Sequence, residues 1–131
     1  MLKKRIVPAI LLSKGRVLTS QNFKPWRTVG SLAQSIRLQV QREADELIIC
    51  CIDNDLNTFS KREMFIINSN ANIPITLFGQ IDSLDKARYL LNHGADRIGI
   101  CSQLYKQDFT LLESLILSLG RQSVVVDIPY T

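Results

Sequence analysis

The chain has 131 residues, 46% hydrophobic and 21% charged, a balance that fits one globular domain over 1–131 and excludes a disordered or low-complexity chain. Its formal net charge of +4 is scattered from Lys3 to Arg121, with Lys3-Lys4-Arg5 as the only run, so no nucleic-acid partner is expected. No stretch approaches the roughly 18–20 apolar residues of a bilayer span, and Pro8 interrupts the start before a signal peptide could form, so the expectation is a cytoplasmic protein without membrane contact.

In chain order, Ile6 to Leu12 is a short run apolar on both faces that ends in Ser13-Lys14-Gly15-Arg16, the pattern of a buried parallel strand followed by a turn. Arg16 to Gly30 contains Pro25 and lacks a clean period, which predicts a long loop with a small hairpin across Val17-Leu18 and Phe23. Ser31 can cap a helix whose Leu32, Ile36, Val40 and Ala44 recur every four residues, with Leu38 at the flank. Leu47 to Ile52 is a second strand, and Asp53 to Thr58 a loop. Ser60 to Ser69 is a shorter helix offering Met64, Phe65 and Ile67 for burial.

Pro74 introduces a third strand over Ile75 to Phe78. Ser83 caps the next helix, with Asp85 in its first turn, Leu84, Ala87, Leu90 and Leu91 inward, and Gly94 as its stop. Arg97 to Cys101 is strand four, Phe109 to Leu119 helix four, and Ser123 to Ile128 strand five. Cys50, Cys51 and Cys101 lie inside apolar runs whose number and spacing fit neither a disulfide framework nor a zinc site, so buried reduced thiols, no metal and no cofactor are expected.

Alternating strands and helices dictate a parallel α/β sheet with right-handed crossovers. Two architectures satisfy this: a (βα)4 half-barrel plus a fifth strand, related to the TIM barrel, or a flavodoxin-like doubly wound sheet of order 2-1-3-4-5. An eight-unit barrel takes roughly 250 residues, so a barrel relationship is to half of one or to an assembly of chains.

Lys4-Arg5-Ile6-Val7-Pro8, Gly15-Arg16-Val17, Ala44-Asp45-Glu46-Leu47-Ile48, Ile73-Pro74-Ile75-Thr76, His93-Gly94-Ala95-Asp96-Arg97-Ile98 and Gln122-Ser123-Val124-Val125-Val126 occur in an order and spacing that are informative together. In these segments the chain resembles the N-terminal half of the cyclase subunit of imidazole glycerol phosphate synthase, an enzyme of histidine biosynthesis. Ile10-Leu11-Leu12-Ser13-Lys14-Gly15 and Asn22-Phe23-Lys24 look closer to the branch of that family used in surface-polysaccharide biosynthesis.

The resemblance implies a barrel that, with a glutaminase partner, adds ammonia to a phosphorylated ribulosyl substrate and closes an imidazole ring. It also implies carboxylates at strand ends, where this chain has Leu11, Cys51 and Pro129. The histidine-pathway aspartate replaced by Leu11 is absent from the polysaccharide branch too. Leucine and proline cannot move a proton and Cys51 would need a cationic neighbour, so no catalytic residue is expected. Asp53, Asp55 and Asp127 are displaced carboxylates expected in surface or loop roles.

The family's Gly-Gly-Gly phosphate turn corresponds to Phe78-Gly79-Gln80, and its Asn-Thr after strand four to Cys101-Ser102, leaving Gly79 and Ser102 as a weakened phosphate-binding pair. Arg5, Glu46 and Arg97 match family charges at the beginnings of strands one, two and four and are expected to form a structural ion-pair layer, in the region that surrounds the ammonia entrance in the family. The expected function is that of a half-barrel homologue without cyclase activity, a structural protein that self-assembles as a homodimer through sheet edges or the concave face. The alternative is a phosphate-binding or cyclase-like lyase subunit of an amidotransferase complex, built with a glutaminase or a complementary half-barrel.

Overall fold

The computed structural model describes residues 3–20, 26–53, 58–100 and 109–127. The first strand, β1 (Ala9–Ser13), turns through Lys14 and Gly15, whose φ values of 49° and 76° form the left-handed two-residue connection that matches the twist of a hairpin. The returning strand β2 (Arg16–Ser20) pairs antiparallel with β1 through Leu11↔Leu18, Leu12↔Val17 and Ser13↔Arg16. It pairs in turn with β3 (Trp26–Ser31). The segment expected as a long loop is thus largely sheet, and Phe23 of the expected hairpin lies outside the described residues.

Helix α1 (Leu32–Gln41) starts where the Ser31 side chain accepts from the Gln34 amide, removing one orphan donor of the first turn. It stops before Ala44, which is buried in the connection instead of continuing the helical stripe. The following elements are β4 (Leu47–Cys51), α2 (Lys61–Asn70), β5 (Ile75–Phe78), α3 (Leu84–Asn92), β6 (Arg97–Ile100), α4 (Thr110–Leu119), a single 3₁₀ turn and β7 (Val124–Val126). Cys101 and Ile128, the expected ends of strands four and five, lie outside the described residues.

Among the described residues the sheet order is β3-β2-β1-β4-β5-β6-β7, with β1, β4, β5, β6 and β7 parallel and in chain order. Sequential parallel strands joined by helices are the arrangement of consecutive units of a (β/α)8 barrel, and they exclude the flavodoxin-like order. Because side chains alternate across a strand, one face of the sheet presents Ile10, Leu12, Leu47, Ile49, Ile75, Leu77, Ile98 and Ile100 to the helices. All are buried, packed with Leu32, Ile36, Met64, Ile67, Ala87, Leu90 and Leu115. Phe65, expected inward, is 72% exposed because α2 turns Met64 and Ile67, three residues apart, toward the sheet.

The opposite face carries Leu11, Ile48, Cys50, Phe78 and Val125, all half-buried. Phe78 lies in register with Gly99, and a side chain at Gly99 would collide with the Phe78 ring, so this glycine makes room for the ring to lie flat across β6.

The strand beginnings are pinned by a repeated Ala-Asp pair. Asp45 accepts from the Ile6 amide at 2.7 Å while its own amide donates to the Ile6 carbonyl at 2.9 Å. Asp96 does the same to Ile75, at 2.7 and 2.8 Å. In each pair the preceding alanine, Ala44 or Ala95, is buried beneath the connection.

Candidate functional site

At the strand beginnings the sheet brings Arg5, Glu46 and Arg97 together. Arg5 Nη1 donates to Glu46 Oε1 at 2.9 Å and Arg97 Nη1 to Glu46 Oε2 at 3.1 Å, so one carboxylate bridges two guanidinium groups across β1, β4 and β6. The glutamate side chain is only 16% exposed, whereas Arg5 remains open to solvent.

At the strand ends the predicted pair is not brought together among the described residues, because Ser102 lies outside them. Gly79 follows β5, but the space left by its missing side chain is taken by the protein: a Cβ there would stand 2.9 Å from Thr58 Cγ2, 3.0 Å from Phe59 Cε2 and 3.6 Å from Cys51 Cβ. Pro129 and Asp55 also lie outside the described residues, while Asp127 is exposed just past β7. Leu11 sits on the half-buried apolar face between Leu18 and Cys50.

Cys51 sits on the helix-facing side of β4, buried. Burial is the main force pushing its thiol above the ordinary value, with the Asp53 and Glu63 carboxylates adding to it and hydrogen bonds from the Asp53 backbone and Thr58 opposing it. A thiol held protonated in this way is a poor nucleophile.

Sequence reasoning missed the role of Asp53. Its carboxylate accepts from Ser13 Oγ at 2.6 Å and from the Lys14 amide at 2.7 Å, with Cys51 Sγ at 3.8 Å, tying the end of β4 to the β1–β2 turn. Burial alone would raise its pKa, but the hydrogen bonds from Ser13, Lys14 and Cys51 and the Lys14 charge outweigh it and hold the group below its ordinary value of 3.8. Beside it, Ser60 and Glu63 form a capping box at the start of α2: Ser60 Oγ accepts from the Glu63 amide at 3.3 Å and Glu63 Oε1 from the Ser60 amide at 3.0 Å. That motif, Ser-x-x-Glu, was legible in the sequence. Among the described residues no three His, Cys, Asp or Glu side chains cluster as a metal site, and no helix is long and apolar enough to cross a membrane.

The sequential parallel strands with helices on one face define a barrel-related α/β protein. The chain belongs to the histidine biosynthesis protein family, whose model matches residues 5–131. It is 32% identical over 130 residues to the imidazole glycerol phosphate synthase subunit HisF of Chlorobium limicola, covering 98% of this chain and 51% of that protein. A Campylobacter jejuni protein named for a hisF2 subunit of the same synthase is 34% identical over 131 residues, with coverage of 98% and 52%. The chain thus spans about half the length of the curated relatives it matches.

Proposed function

We propose that this chain is a barrel-building module whose role is assembly rather than ring closure. The observation that carries this reading is the make-up of the strand ends: Leu11 lies on the apolar face and Cys51 is a buried, protonated thiol, where the resemblance calls for carboxylates. The strand beginnings retain Arg5, Glu46 and Arg97 as a bridged cluster, which supports a scaffold role for them in aligning neighbouring strands.

The occupant of the half-buried face formed by Leu11, Ile48, Cys50, Phe78 and Val125 is, on this reading, a second copy of the chain. Light scattering tests it directly. The expected mass is twice the 14.9 kDa chain mass, independent of concentration in the micromolar range, and Ile48→Lys should give the single-chain mass without loss of helical signal. A wild-type mass equal to that of one chain at all concentrations would remove the self-assembly reading.

The retained Glu46 cluster favours a second reading, a cyclase-like subunit working with a glutaminase. That reading requires imidazole ring closure from the ribulosyl phosphate substrate in the presence of ammonia, and absence of product with the purified chain, alone and mixed with a glutaminase subunit, would remove it.

A further inference from the structure

Both ends of the parallel sheet are unfinished. Among the described residues β7 pairs only with β6, and β1 meets β2 only from Leu11 to Ser13, so Ala9 and Ile10 have no strand partner on that side. The exposed large apolar residues gather at the same two places. Ile6, Val7, Val29 and Leu38 lie at the β1 end and Phe109, Leu117 and Val126 at the β7 end, with Phe65 alone between them among the described residues.

The two ends differ in shape and charge. At the β1 end a groove of about 620 Å³ runs between the β1–β2–β3 strands and α1; Leu18, Val29 and Leu38 help line it, and no charged side chain does. At the β7 end stands α4, in which six of ten residues are leucine or isoleucine although only Leu115 is fully buried, whereas α1, α2 and α3 each bury two residues. Leu117 is 86% exposed, and Glu113, one turn earlier on the same stripe, is exposed as well. Helix α4 carries this acid and no base, while α1 and its cap carry Arg37 and Arg42, both exposed, and no acid. Arg42 stands one turn beyond Leu38.

We propose that the α1 end of one copy docks the α4 end of a second copy, the groove beside β1 receiving the flank of α4 that bears Glu113 and Leu117, with a twofold axis making the contact twice. An apolar helix flank suits an apolar groove, and an acid on one side facing arginines on the other sets which ends meet. Two α1 ends would bring like charges together, and so would two α4 ends. The two ends of one chain lie at opposite ends of a single sheet, so they meet between copies, and a twofold pair leaves neither end open. This deepens the assembly reading and rests on it: the copy that covers the half-buried face is gripped at the sheet ends, and Leu11 belongs to both the groove and that face.

The test is the mass in solution, by light scattering at micromolar concentration, of wild type, Leu38→Asp, Leu117→Lys and an equal mixture of the two variants. Wild type should have twice the 14.9 kDa chain mass and each variant the single-chain mass. The mixture should return to the two-chain mass, because in a mixed pair one contact is wholly wild type and the other opposes Asp to Lys. Circular dichroism checks folding, and Val29→Asp, at another exposed groove position, replaces Leu38→Asp if helical signal is lost. A single-chain mass for wild type overturns the proposal together with the assembly reading. A two-chain mass persisting in either variant overturns the proposal alone and leaves assembly through the half-buried face. Failure of the mixture to recover, the result if each end met its own copy, also overturns it, as does a wild-type mass above two chains.

Discussion

Asp53 offers a sharp test of how the strand ends are held. Its two oxygens meet two different donors: Ser13 Oγ, which can also accept, and the Lys14 amide, which can only donate. Asp53→Ala removes both partners at a part-exposed site where water can substitute, so a loss of about 1–2 kcal/mol is expected. It also frees Lys14, a non-glycine residue at φ 49°, from the bond that holds it in the left-handed region. Asp53→Asn is different. Its carbonyl oxygen can take the Lys14 amide and its NH₂ can donate to Ser13 Oγ, so the loss should stay under about 1 kcal/mol.

The pH dependence carries a defined sign. The folded pKa lies below the ordinary 3.8, so the charged form's contribution is present above 3.8 and is lost as pH falls through the lower folded value. Urea melts should show wild type above Asp53→Asn near about pH 6, with the gap closing in strong acid as the wild-type carboxyl becomes neutral. An unchanged gap in acid, or an Asn variant as unstable as the Ala variant, would refute this account.

Gly99→Ala should destabilise by about 1–3 kcal/mol through overpacking against Phe78, and Phe78→Leu in the same chain should recover much of it, as read by denaturant titration. Gly79→Ala should cost stability in the same assay, because the neighbours of its Cβ are Thr58 and Phe59 in the packed interior. Glu46→Ala should cost about 1 kcal/mol at low ionic strength, less in high salt because Arg5 is largely solvent-exposed and screened. Cys51 should react with thiol reagents at neutral pH far more slowly in the folded than in the urea-unfolded chain, measured by mass spectrometry of its peptide.

Local signals carried much of the fold. Ile75–Phe78, the Ser31 and Ser83 caps and the helix at Leu84 are where an apolar run or a capping residue places them, because nearest-neighbour chemistry decides such features. The β2–β3 pair was legible only in outline: a small hairpin was expected at Val17-Leu18, but Arg16-Val17-Leu18-Thr19-Ser20 is short and mixed, and pairing with β1 and β3 makes all of it strand. Phe65 was misplaced because Met64-Phe65-Ile66-Ile67 has no internal period, and only the sheet beneath α2 selects which two residues turn inward. The Asp53 site joins residues 40 apart in sequence, and nothing local in Ser13 or Lys14 announces that partner.

The two ends of the sheet are built on different chemistry. At the beginnings of the strands, Asp45 and Asp96 each exchange two hydrogen bonds with the backbone of the neighbouring strand, and Glu46 bridges two arginines, so charge is spent on register. At the ends, the one described carboxylate with a depressed pKa, Asp53, has both oxygens taken by the β1–β2 turn and Cys51. It is therefore held ionised by the bonds that fix the turn. A general acid or base needs a pKa near the working pH and an oxygen free to reach substrate, and Asp53 has neither. Anchoring of the turn thus commits the Asp53 carboxylate to structure rather than to proton transfer.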